Sequence, residues 1–245
     1  MIAMENVMKN VWTNPSSRPN RHLGPSLLLV AIIYILLVIA GIVVGVTLAP
    51  RSSFPMPFQP VRNAMTYFSL YSNVARWASF LEFASAIPLG IFTVTVVSRL
   101  RFLGVRATGE LIALYGGITA SAMLIVSALC SWSLCSPGVT DLPGAVRSLQ
   151  LLGFATGGPG FVVPFGLLLA GVSITSDFYR LLPRWLVILG IVLAIASELA
   201  IFSLLTWKAA IFLPMGRFIS FIWLIGVGIT MPATKDRTDP VAEKA

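Results

Sequence analysis

Three ionisable side chains lie well inside long apolar runs of this sequence, and these are the residues that could do chemistry. Glu82 falls in the run 76–98, Glu198 in 185–206 and Arg217 in 209–231. A carboxylate or guanidinium placed in hydrocarbon costs about 2.5–3.5 kcal/mol on insertion scales unless it pairs or faces water, so each is a functional candidate by default. Glu198 lies ten residues before Lys208 and Arg217 nine residues after it. On two antiparallel helices folded at the Trp207–Lys208 turn, both reach roughly 14 Å inside the turn at 1.5 Å rise per residue. The spacing therefore predicts a Glu198–Arg217 ion pair. Such a pair suits two roles, orientation of a bound polar group or a clamp that fixes the register of the last two helices.

A second unusual stretch is Gly157-Gly158-Pro159-Gly160-Phe161-Val162-Val163-Pro164. In a helix interior each glycine costs about 1 kcal/mol and each proline about 3 relative to alanine, so a break is expected here. Irregular backbone at membrane depth is tolerated only against protein or a wet cavity. Counting inward from the same side, Gly157, Gly158, Gly160, Ser121, Glu198 and Arg217 fall at comparable levels, with Glu82 somewhat shallower. Together they predict a polar pocket that opens to the outer surface.

Other chemistries find little support. The sequence carries no Gly-x-Ser-x-Gly elbow, phosphate loop or dinucleotide fingerprint, and its single histidine, His22, lies in the N-terminal tail. No metal site, cofactor or catalytic residue is assigned. Cys130 and Cys135 flank the outer end of one run and form a candidate disulfide, provided the helix ends between them and brings their Cα atoms close.

The elements that must position these residues are set by composition. Of 245 residues, 57% are hydrophobic and 11% charged, whereas soluble domains average about 25% charged. A water-soluble fold of this length could not hide so much apolar surface. The bilayer is the solvent, and the chain reads as a single all-α bundle of six transmembrane helices. The expected spans are 27–49, 76–98, 110–132, 148–174, 185–206 and 209–231, within a membrane domain of residues 26–232. Polar tails occupy 1–25 and 233–245. Gly41-x-x-x-Gly45 in span one offers a small-residue face for another helix. Pro88 falls near the middle of span two. Between spans one and two, Pro50, Pro55, Pro57 and Pro60 alternate with Phe54, Phe58, Tyr67 and Phe68. That segment is expected to lie at the interface with a short helix near Val61–Tyr71, and a lid over a ligand is its sharper reading.

The net charge of +8 is spread over short loops rather than one stripe, which argues against nucleic acid and for membrane lipid headgroups as partners. Lys9, Arg18, Arg21, Arg99, Arg101, Arg106, Arg180, Arg184, Lys235, Arg237 and Lys244 share one side; Arg51, Arg62, Arg76, Arg147 and Lys208 share the other. The bias predicts N-in and C-in termini.

The run Gly171-Val172-Ser173 through Leu181-Leu182-Pro183-Arg184-Trp185-Leu186, with Gly190, Glu198, Arg217-Phe218 and Ile222-Trp223-Leu224-Ile225, resembles uncharacterised bacterial six-span membrane proteins classed as a domain of unknown function. The resemblance implies a bacterial plasma-membrane location and six helices, and carries no activity. Three functions are open on this reading. They are small-ligand binding or transport through the outward pocket, a non-catalytic accessory or scaffold subunit in a homo- or hetero-oligomer, and a membrane-embedded enzyme acting on a lipid or isoprenoid.

Overall fold

A computed structural model of the chain describes residues 20–49 and 54–235. Residues 1–19, 50–53 and 236–245, which include most of both polar tails, lie outside the described residues. Six spans form, as expected for an all-α polytopic bundle. Span one is α1, Leu27–Leu48, opened by Ser26, whose hydroxyl accepts from the Leu29 amide. A short interfacial helix follows, α2, Val61–Leu70. Span two is α3, Ser72–Phe102, longer at both ends than expected and continuous through Pro88. Span three is α4, Thr108–Leu134.

Span four is broken in two. Helix α5, Pro143–Gly157, ends where α6, Pro159–Phe178, begins. Gly158 between them has φ −91° and ψ −106°, outside both the helical and the strand wells. The interruption sits inside the stretch where the glycines and prolines accumulate.

Span five is α7, Arg184–Leu199, extended by a 3₁₀ segment, Ala200–Leu204. Span six is the least regular. A 3₁₀ segment, Trp207–Ile211, leads through one α turn, Phe212–Pro214, into a π-helical turn, Met215–Ile219, before α8, Ser220–Thr230. Pro214 brings no amide hydrogen to the turn it enters, so the ladder there is already incomplete.

Each span lies against the next in chain order, and α8 returns to α1, so the six form a closed ring. The two described ends meet: β1, Asn20–Arg21, pairs antiparallel with β2, Thr234–Lys235. Beside this bridge His22 Nε2 and Ser98 Oγ share a hydrogen bond of 3.0 Å. We call this side of the bundle the terminal face. On it, α3 closes with Gly104 at φ +92° and α6 with Arg180 at φ +52°. Both ends have the same double cap. Val105 N–H donates to Leu100 O and Leu181 N–H to Ser176 O, while Gly104 and Arg180 N–H donate to Arg101 O and Asp177 O.

The half of the bundle toward the terminal face is close-packed. Leu89, Phe92, Val96, Leu124, Phe165, Leu168 and Trp223 are fully buried there. Trp223 Nε1 donates to Ser173 Oγ at 3.1 Å. This contact needs Gly190, where a Cβ would overlap both groups. The opposite half, under the α1–α2 connection, is where the spans part.

Candidate functional site

Span two brings Glu82 and the π-helical turn of span six brings Arg217 to the same place, with Nη2 of Arg217 3.7 Å from Oε1 of Glu82. This corrects the expected Glu198–Arg217 pair. Glu198 is exposed on the outside of the ring, in a groove between α6 and α7 bounded by Leu167, Ala170, Ile174, Ala194 and Ile195. The depth argument located the right level and the wrong carboxylate. Two 3₁₀ segments and a π turn separate α7 from α8, so the helical phase is not carried around the hairpin.

Around the pair the contacts are specific. Ser127 on α4 donates to Glu82 Oε1 at 3.2 Å and to Gly153 O at 3.3 Å. The Arg217 guanidinium carbon stands 5.2 Å from the centroid of the Phe161 ring, a cation–π distance. Phe161 in turn stacks on Phe165. Arg217 Nε is buried without a hydrogen-bond partner, as is the Tyr34 hydroxyl of α1. An unpaired buried donor costs about 1–3 kcal/mol, so Arg217 holds hydrogen-bonding capacity that the protein itself does not use.

The break in span four is part of this site. A Cβ at Gly157 would overlap the Ser127 hydroxyl and come within 3.7 Å of Glu82 Oε1. Glycine there lets α5 approach close enough for Ser127 to bridge Gly153 O and Glu82. Gly158 also lines the cavity. Besides Glu198, two more of the expected site residues are elsewhere. Gly160 faces Ala155 O and Met123 Sδ. Ser121 donates to Ala86 O at 2.7 Å and serves as a cross-link between α4 and the α3 segment around Pro88.

Two adjacent cavities flank the pair and share Glu82, Arg217, Ser131, Phe68 and Phe218 among their walls. The first, about 320 Å³, lies between α4, α5 and span six under residues 54–57. The second, about 770 Å³, runs between α1 and α3. Both fall within the range of small-molecule pockets. The roof is tied down by span four: Gln150 Nε2 donates to Pro55 O at 3.3 Å, and an Arg147 guanidinium N–H donates to Pro57 O. Phe58 packs edge-on against Phe154, and Phe54 against Tyr67 and Phe68.

Cys130 and Cys135 are separate thiols, both buried, so the expected disulfide is absent. Cys135 Sγ donates to Ser131 O, one helical turn back. Burial pushes its thiol up to about 11, which leaves little thiolate for exchange chemistry.

The sequence alone does not mark Ser127, Tyr34, Gln150 or Arg147 as parts of the site. Pro214 before Arg217 was the available signal for irregular backbone in span six. Ring and pocket together define a six-span, multi-pass membrane protein with an internal charged pair. Compared with known proteins, the chain matches no family model, no curated protein and no solved structure.

Proposed function

We propose that this protein binds a small molecule in a pocket centred on Glu82 and Arg217. The pocket faces the outside of a bacterial plasma membrane, and both termini are in the cytoplasm. The observation that carries this reading is the half-used pair: a carboxylate and a guanidinium at 3.7 Å, beyond hydrogen-bond length, beside an unpartnered Arg217 Nε, on the wall of two cavities. A guest with one donor and one acceptor completes both groups. Toward the terminal face, Phe161, Phe165 and Leu168 close the floor, so the pocket is accessible from one side and passage through the bundle requires those side chains to move. The six apolar helices support the membrane, and the charge bias of the loops supports the orientation.

The test is accessibility. In a background with Cys130 and Cys135 replaced by alanine, Ser127→Cys and Ser131→Cys are expected to react with a membrane-impermeant maleimide added to intact cells. No labelling at either position, with the protein folded and inserted, overturns the reading.

A second reading, an accessory subunit, is favoured by Glu198. Its carboxylate lies on the outer flank beside Ala170 and Ala194, small residues that allow a partner helix to approach. Glu198→Gln leaves ligand binding intact on the pocket reading and dissociates a complex on this one.

A further inference from the structure

We propose that the ligand is a membrane amphiphile. Its hydrocarbon chain lies in the cavity between α1 and α3, and its uncharged, hydroxylated head lies at Glu82 and Arg217. The chain enters sideways from the adjoining leaflet. This rests on the pocket reading above and names its occupant.

The shape of the cavity between α1 and α3 is the first argument. It runs from Ala49 and Ala75 near the interface to Glu82, Ser85 and Arg217 at its inner end. Ten residues of helix, Ala75 to Ser85, span about 15 Å, so the space is elongated along the bundle. A volume of about 770 Å³ in an apolar slot is suited to a chain rather than to water, which needs polar partners at two to four points.

The second argument is the glycines. Gly41 is in ordinary contact with α3, its Cβ position 3.5 Å from Leu81 Cβ, whereas a Cβ at Gly45 would meet nothing within 4 Å. The Gly41-x-x-x-Gly45 face therefore does not seat a helix along its length; the two spans diverge from Gly41 outward. Ala75 and Ala78 opposite are small as well. The mouth is on the flank, since the rim residues Ile42 and Val46 are 45% and 67% exposed.

The third argument is the head. Glu82 and Arg217 balance one another in charge. An anionic head would meet the carboxylate and a cationic head the guanidinium, and the apolar walls of the cavity screen either weakly. A hydroxyl donates to Glu82 and accepts from the accessible part of the Arg217 guanidinium at once. The pair thus selects a neutral head with both functions.

The experiment uses full-length protein in lipid nanodiscs and a monoacylglycerol with a photoactivatable diazirine in its chain. Adducts are expected on α1 and α3 along the cavity. Excess unlabelled monoacylglycerol should suppress them, and glycerol or the free fatty acid should not. Gly45→Trp fills the slot from one wall and Ala78→Phe from the other; each is expected to lower adduct yield at least about tenfold. Val43→Trp, on the lipid-exposed face, should leave it unchanged. Adducts spread evenly over all lipid-facing helices, or yields insensitive to both filling variants, overturn the proposal. Equal competition by the fatty acid overturns the neutral head. If Ser127→Cys still labels from outside in those cases, the pocket stands and only its occupant was misassigned; if it does not, both readings fall.

Discussion

The Glu82–Arg217 contact makes an energetic statement that mutants can check. Removing one partner from a pair in a low-dielectric site leaves the other charge uncompensated, a loss of about 3–5 kcal/mol in buried cases, whereas removing both is often close to neutral. Arg217→Gln alone should therefore lower the melting temperature more than the double change with Glu82→Gln. The coupling in that cycle should fall between about 0.5 and 3 kcal/mol, the range for contacting residues. Glu198→Gln combined with Arg217→Gln should be additive within about 0.5 kcal/mol, because Glu198 faces the opposite side of α7 from the pocket. Additivity for Glu82 and coupling for Glu198 in detergent-solubilised protein would restore the hairpin pairing and remove the pocket. The sequence exposed the three charges and their level, because polar atoms are conspicuous in apolar runs. It did not expose their partners, because partner choice depends on azimuth, and each residue turns a helix by about 100°. One π turn at Met215–Ile219 shifts that phase for everything that follows.

At the scale of elements, the tethered connection between α1 and α2 is the part most open to change. Its backbone between Phe54 and Pro60 has few hydrogen bonds of its own, and span four supplies two donors, Arg147 and Gln150. Replacing both with alanine is expected to speed amide hydrogen exchange of the 54–60 peptide while leaving α4 protected, since local opening draws on few contacts there. Unchanged exchange would mean that the aromatic contacts of Phe54 and Phe58 alone hold the roof. A second expectation concerns the end of α6. Arg180 occupies a left-handed cap at φ +52°, a position usually filled by glycine. Arg180→Gly relieves the Cβ conflict and should raise thermal stability by up to about 1 kcal/mol; a drop instead would show that the arginine side chain is held by another contact. The elements themselves were legible. The break at Gly158 follows from the glycines and prolines around it, and α2 from its position after Pro60. The length of α3 was not legible, because Ser72–Ala75 and Arg99–Phe102 carry polar residues that hydropathy excludes from a span but a helix extending past the bilayer accepts.

For the whole molecule, the closed ring and the meeting of β1 with β2 place both described ends on one face. The proposed orientation, with the terminal face cytoplasmic, rests on charge. Arg21, Arg99, Arg101, Arg106, Arg180 and Arg184 are on the terminal face, against Arg62, Arg76, Arg147 and Lys208 on the other, and Lys/Arg bias in short loops sets orientation during insertion. Arg101 there is paired with Glu110 at 2.9 Å, but a neighbouring carboxylate contributes little to this rule, so the bias stands. In a background lacking Cys130 and Cys135, Lys208→Cys is expected to react with impermeant maleimide on intact cells. Arg106→Cys is expected to react only after the membrane is permeabilised. The reverse pattern would turn the bundle over and aim the Glu82–Arg217 pocket at the cytoplasm. The pair, the cavities and the tethered roof would then remain as they are, and the ligand would have to be drawn from the inner leaflet. Orientation is thus the one property of the site that the fold does not fix internally, because a ring of six spans with both ends on one face is equally compact either way up. Only the loop charges and the membrane that receives them distinguish the two.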